Sequence, residues 1–175
     1  MFHPGTQKLI DHWSALPDAG RIPSHVVLQP LALGGLVPQL FSADRTPSGA
    51  ALRLAGAGLE TLFGQTLRGQ DWLSVWTSNS RGLVTAAVAQ TFREARPVVI
   101  VAETSGSRRT FEIVIAPLRS AGGSADRIVG LYQPTTAETA RTEPVRAFSA
   151  RLSIGVGPTR RAPLTLAAMD GRRIA

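Results

Sequence analysis

Val98-Val-Ile-Val-Ala-Glu-Thr-Ser-Gly-Ser-Arg-Arg-Thr-Phe-Glu-Ile-Val-Ile115 carries the clearest local signal in the chain. Val98 to Thr104 is a β-branched run, Ser105 to Arg108 has turn composition, and Phe111, Ile113 and Ile115 alternate with Thr110, Glu112 and Val114. Alternation of this kind places successive side chains on opposite faces of a strand, which a helix cannot reproduce. A second turn through Gly122 and Gly123 leads to a further strand, Arg127 to Gln133, before Pro134. The second half of the chain therefore predicts a three-stranded meander.

Working back from Pro97 the period changes. Leu83, Ala87, Val88 and Phe92 form a helical stripe, with Ser80 as the expected N-cap and Pro97 as the stop. Leu67 to Trp76 suits a short irregular helical region, and Gly58 to Phe63 suits one or two turns closed by Gly64. Before these, Gln39 to Ala43 and Ala51 to Ala55 read as a hairpin around the turn-forming residues 44–49. At the start, Leu9, Ile10, Trp13 and Leu16 recur at helical spacing after Thr6, an expected cap, and end at Pro17; the Pro- and Gly-rich residues 17–38 read as an ordered connector.

Two strands, a helical block and three strands predict an α+β fold with an antiparallel sheet, since a parallel sheet would need repeated strand–helix alternation. The expected architecture is a five-stranded sheet with helices on one face and an N-terminal amphipathic helix. It divides into residues 1–37 as helix and connector, 38–134 as core, and 135–175 as a basic, partly flexible extension.

With 175 residues, 18.5 kDa and 43% hydrophobic residues, the chain suits one domain with terminal extensions. The absence of cysteine removes disulfides, thiolate metal sites and cysteine nucleophiles. The longest aliphatic stretch, Val98 to Ala102, is far too short for a transmembrane segment, and the start has no secretory pattern, so a soluble cytoplasmic protein is expected. Residues 1–138 carry 12 Lys+Arg against 10 Asp+Glu, whereas residues 139–175 carry 7 Arg against 2 acids, so the net charge of +7 lies mostly in the tail. The arginine bias, with Lys8 the single lysine, is read as GC-rich codon usage.

Specific residues take the reading further. Leu52-Arg-Leu-Ala-Gly56, Leu59, Phe63-Gly64, Leu67-Arg-Gly69 and Trp76 resemble the run shared by an alphaproteobacterial, stand-alone PAS-domain family. Trp13, Leu16-Pro17, Gly20-Arg-Ile-Pro-Ser24, Pro30, Pro38 and Leu40-Phe41 match upstream, and Arg96-Pro97 and Gly130-Leu-Tyr-Gln-Pro134 match downstream. The resemblance implies a PAS fold and a sensory or adaptor role in bacterial signalling, with output delivered through a protein partner that the sequence does not name. It also implies a homodimer, with Leu9, Ile10, Trp13 and Leu16 packing either on the sheet or on the same helix of a second copy.

Chemistry-bearing motifs are sparse. Gly56-Ala-Gly58-Leu-Glu-Thr61 begins like a dinucleotide fingerprint but has Thr61 at the third glycine position, so a tight turn that admits close packing is the preferred reading. His3, His12 and His25 lack metal-site spacing, and no metal site is expected. Haem-binding PAS domains commonly use a histidine of the helical crossover, and residues 58–97 contain none; the cysteinyl-flavin photochemistry of light-sensing relatives has no cysteine to use. No cofactor is predicted; the composition is compatible with a non-covalent flavin. Asp71, Glu94, Glu103 and Glu112 are separated by turns or alternate faces, and no nucleophile elbow or phosphate loop is present, so no catalytic residue is assigned.

Trp72 and Trp76 stand four residues apart and, with Phe63, either pack on the sheet or border a pocket between sheet and helices. The candidate small-molecule pocket is Leu54, Phe63, Trp76, Leu83, Val114 and Tyr132. In the tail, Arg146 to Val156 has enough alternation to add a strand or dock, while Arg151, Arg160, Arg161, Arg172 and Arg173 are candidate anion contacts. The rival function is a nucleic-acid or cyclic-nucleotide binder using that tail, but no aromatic residues interleave with Arg151 to Arg173 and no recognition helix is visible. An enzyme is the third class, with least support.

Overall fold

The change of period at Pro97 is a change of element. In the computed structural model, which describes residues 1–19, 21–106, 109–135 and 143–157, β3 runs over Val98–Thr104 and α3 over Ser78–Glu94. Around them lie α1 (Pro4–Ser14), β1 (Leu40–Thr46), β2 (Gly49–Ala55), α2 (Ala57–Phe63), β4 (Thr110–Arg119), β5 (Ala125–Pro134) and β6 (Phe148–Gly155), with short 3₁₀ segments at His25–Val27, Pro30–Gln39 and Trp72–Val75.

The strands form one antiparallel sheet in the order β2-β1-β5-β4-β3-β6. The sequence predicts five strands, and the sheet has six among the described residues. Phe148–Gly155 pairs with β3, from Thr104 opposite Phe148 to Val98 opposite Gly155, and so satisfies backbone groups that β3 would otherwise leave open. The sheet thus continues past the core boundary expected at residue 134, into the segment whose alternation suggests a strand or a docked chain.

The helical block lies on one face, as expected, and the N-terminal helix with the connector covers the other. On the first, α2, α3 and the Trp72–Val75 segment bury Val84, Ala87 and Val88 against Val98, Ile100, Ile113 and Ile115. On the second, α1 and the connector seal Val99, Val114 and Leu131 beneath Leu9, Ile10 and Leu33, while Trp13 covers Ala116, Leu118 and Val129. A buried β-strand with apolar residues at every position is the sequence trace of this arrangement, and residues 113–116 of β4, Ile-Val-Ile-Ala, show it.

Two helix starts shift. α1 begins at Pro4, with the His3 ring accepting the Gly5 amide, because proline fits the first helical position; Thr6 lies buried inside the helix. α3 is preceded by Thr77 as cap, and Ser80, one turn in, is buried and instead accepts the Ala150 amide of β6 at 2.9 Å.

The glycines of the matched run have backbone roles. A Cβ at Gly56 would collide with the Pro38 carbonyl oxygen and lie 2.6 Å from that of Val37, so the end of β2 can pass the connector only without a side chain. Gly56→Ala is expected to cost about 3 kcal/mol through overpacking, read as a lowered urea midpoint with unchanged slope. Gly64 closes α2 in the left-handed region at φ 65°. Leu52 and the Leu67-Arg-Gly69 run meet directly: the Leu52 amide donates to Gln70 O at 2.8 Å, and the Gly69 amide donates to Leu52 O at 2.7 Å.

Candidate functional site

The face of the sheet under α2 and α3 carries a continuous aromatic cluster. Phe41 of β1, Phe111 of β4, Tyr132 of β5 and Phe148 of β6 rise from the strands, while Phe63 closes α2 and Trp72 and Trp76 flank the 3₁₀ segment between α2 and α3. Ring centroids are 5.3 Å apart for Phe41 and Trp72, 5.6 Å for the two tryptophans, which meet edge to face, and 5.1 Å for Phe111 and Phe148. Edge and tilted contacts at these separations suit the quadrupoles of the rings.

Asp71 aims the tryptophans. Its carboxylate accepts the Leu73 amide at 3.0 Å and starts the short helix that turns Trp72 and Trp76 inward. Trp72 Nε1 then donates to the Tyr132 hydroxyl at 2.7 Å, a buried bond between the helical block and the sheet. Burial raises the ionisation of the Tyr132 phenol well above its ordinary range, and the Trp72 bond only partly opposes this. The phenol stays neutral at physiological pH. The Trp76 Nε1 is buried with no acceptor among the described residues.

Of the six residues expected to line a pocket, Phe63, Trp76 and Tyr132 belong to this cluster and Leu83 packs against it. Leu54 and Val114 do not. Leu54 pairs with Ser42 after a register shift in the β1–β2 hairpin and is 61% exposed. Val114 points to the opposite face and packs under α1, because alternation along β4 sends it away from Ile113 and Ile115. Phe41, Phe111 and Phe148 are cluster members that the expected set lacks; Phe41 and Phe111 lie on predicted strands, and Phe111 shares the phase of Ile113 and Ile115, a signal that could have found it.

The expected dimer helix faces its own domain. Leu9, Ile10 and Trp13 are buried on the sheet and Leu16 packs beside them, so these side chains are unavailable to a second copy while α1 stays docked. Trp13 Nε1 also donates to Pro117 O at 2.9 Å. In the expected anion site, Arg151 is exposed and its guanidinium bonds Glu103 at 2.6 Å; Arg160, Arg161, Arg172 and Arg173 lie outside the described residues. Arg96, of the matched Arg-Pro pair, is structural. It bonds Glu94 at 2.5 Å and donates to Gly157 O at 2.7 Å, tying the end of α3 to the end of β6.

No group of three or more metal-ligating side chains occurs among the described residues, and no helix among them is long and apolar enough to cross a membrane. The buried polar residues among them are Thr6, Ser80, Thr91, Thr104 and Gln133, none of them ionisable at neutral pH.

An α+β domain with an antiparallel sheet, a helical block over one face and an enclosed aromatic interior is the class of protein these features define. The chain belongs to the PAS domain family, whose pattern matches residues 1–133. β6 and its Phe148 lie beyond that match. Among solved structures it is similar to a light-oxygen-voltage domain studied with a flavin analogue, at 19% identity over 60% of this chain and 82% of that one, with a TM-score of 0.46. It is also similar to the light-oxygen-voltage domain of the blue-light photoreceptor Aureochrome1 in its dark state, at 16% identity over 60% and 80%, with a TM-score of 0.44. An RNA-binding light-oxygen-voltage receptor is 19% identical over 69% of this chain and 36% of that one, with a TM-score of 0.46. No curated protein matches the chain.

Tyr132→Phe isolates the buried bond. Removing the hydroxyl leaves Trp72 Nε1 without its acceptor, and the expected loss is about 2 kcal/mol. Adding Trp72→Phe removes the stranded donor but also shrinks a packed ring, so the double variant should lose less than the two single losses combined. Chemical denaturation of the four proteins measures the coupling.

Proposed function

We propose that the chain is a non-enzymatic sensory or adaptor module of bacterial signal transduction, located in the cytoplasm and acting through contact with another protein. Family membership over residues 1–133 carries the reading. The interior supports it chemically. Its walls are aromatic and aliphatic, and its one titratable side chain is a phenol held in its protonated form, so it offers no general base or activated nucleophile. A small molecule in the interior would be held by ring packing and by the Trp72, Trp76 and Tyr132 polar atoms. The cluster supplies neither a thiolate for a flavin adduct nor an imidazole for haem, and no cofactor is assigned.

Affinity purification of the full chain from its native bacterium, followed by reconstitution with purified components, tests the role. A signalling protein that binds the purified chain is the expected result. Turnover of a substrate by the chain alone would contradict it. So would salt-dependent DNA binding lost on deletion of residues 139–175, which would favour the nucleic-acid reading.

A further inference from the structure

Phe148 lies on β6, outside the family match, yet its ring stands at the centre of the interior. It is fully buried, with centroid distances of 5.8 Å to Phe63, 5.9 Å to Trp76, 5.1 Å to Phe111 and 5.4 Å to Tyr132. The strand that brings it there is paired on one side alone, to β3, among the described residues. Near Phe148 it is also held by hydrogen bonds, the Thr77 amide donating to Phe148 O at 2.9 Å, the Ala150 amide to Ser80 Oγ at 2.9 Å and the Ser105 amide to Ala147 O at 2.9 Å, and by Ala150, which packs against the aromatic interior. One of the rings around Phe148, that of Trp76, carries the buried indole N–H for which the described residues supply no acceptor. A buried donor left in that state is costly, and native interiors pair nearly all of them.

We propose that Phe148 occupies the site of a ligand: a neutral, planar aromatic molecule with one hydrogen-bond acceptor, which takes the place of the phenyl ring, accepts from Trp76 Nε1 and releases β6 from β3. This rests on the sensory reading above and supplies its ligand class and its moving part. The surrounding rings select a planar apolar body. The lack of any buried counter-charge among the described residues excludes an ionised ligand, whose desolvation nothing in the wall would offset. In the exchange one aromatic ring replaces another, the freed strand regains chain entropy, and the new hydrogen bond offsets part of the lost β6 ladder. A ligand shifts such an equilibrium only by its difference in affinity for the two states, and here the docked state has its binding place filled.

The test uses acetophenone as a neutral aromatic acceptor and benzoate as its charged counterpart, on the full chain. Acetophenone, and not benzoate, should speed amide exchange at residues 149–155 by about tenfold while β4 and β5 keep their protection. Phe148→Ala, with the place already vacated, should bind acetophenone at least about tenfold more tightly than the wild type. Phe148→Leu, which keeps an apolar anchor, serves if the alanine variant fails to fold, and should also bind more tightly than the wild type. Equal affinities in the wild type and the folded variant, or binding with β6 protection unchanged, would overturn the displacement. Benzoate binding as well as acetophenone would overturn the ligand class. Partner reconstitution is a separate readout: an acetophenone response in a chain with no signalling partner would uphold the displacement and sink the sensory role.

Discussion

Replacing Trp13 by alanine should lower stability by about 4 kcal/mol, the range for a buried tryptophan reduced to a methyl group. Trp13 is almost fully buried and covers Ala116, Leu118 and Val129 on the face of the sheet opposite the aromatic cluster. Its loss also strands Pro117 O, the acceptor of its indole N–H. For a domain of this size the change corresponds to a fall in melting temperature of roughly 10 °C. Trp13→Phe should recover most of the packing and leave a smaller deficit of about 1–2 kcal/mol, from the missing donor and the smaller ring. If thermal unfolding of the alanine variant matched that of the wild type, α1 would be an appendage and the sheet face beneath it would be open to other partners.

The second large effect is expected at Phe148. Truncation to alanine removes a ring packed among Phe63, Trp76, Phe111 and Tyr132 and should cost about 3–5 kcal/mol. Because β6 is an edge strand among the described residues, the loss should be local before it is global, with amide protection falling first at residues 149–155. Urea denaturation gives the magnitude and hydrogen exchange gives the order of events. An alanine variant as stable as the wild type would mean that the cluster is complete without β6.

Glu94 sets one limit at low pH. Burial opposes its ionisation, but hydrogen bonds from Arg96 and Gln90, with the charge of Arg96, outweigh burial and hold the carboxyl below its ordinary value. A carboxyl depressed in the folded state stabilises the fold above its unfolded pKa and loses that contribution as pH falls through the folded value. The Arg96 tie between α3 and Gly157 should therefore loosen in acid, and a pH series of exchange at the end of β6 should show it. Glu94→Gln should flatten that pH dependence.

The sequence is most legible where period and punctuation agree. Val98 to Thr104 matches β3, Gly64 ends α2 in the left-handed region, and Pro97 separates the long helix from the meander. Register is less legible, because a shift at Ser42 and Ala43 sends Leu54 outward and no residue type announces it. Val114 alternates with Ile113 and Ile115, which places it on the other face; an apolar strand residue is no guide to the pocket side when both faces of the sheet are covered. The family run mixes two kinds of residue. Gly56, Gly64, Gly69 and Arg96 fix backbone approaches and caps, whereas Phe41, Leu52, Leu59, Phe63, Trp76 and Tyr132 line the buried interior. The alternation of residues 146–156 suggests a strand, but the place of Phe148 in the interior depends on long-range pairing of that strand with β3, which local pattern does not encode.

The most direct measurement is a nuclear magnetic resonance spectrum of the intact protein that combines aromatic proton contacts with amide exchange. Contacts from the Phe148 ring to Phe63 and Trp76, with residues 149–155 protected beside Val98–Thr104, are the result expected of a six-stranded domain with an enclosed aromatic interior. A Phe148 ring with solvent-averaged shifts, together with immediate exchange throughout residues 149–155, would contradict it.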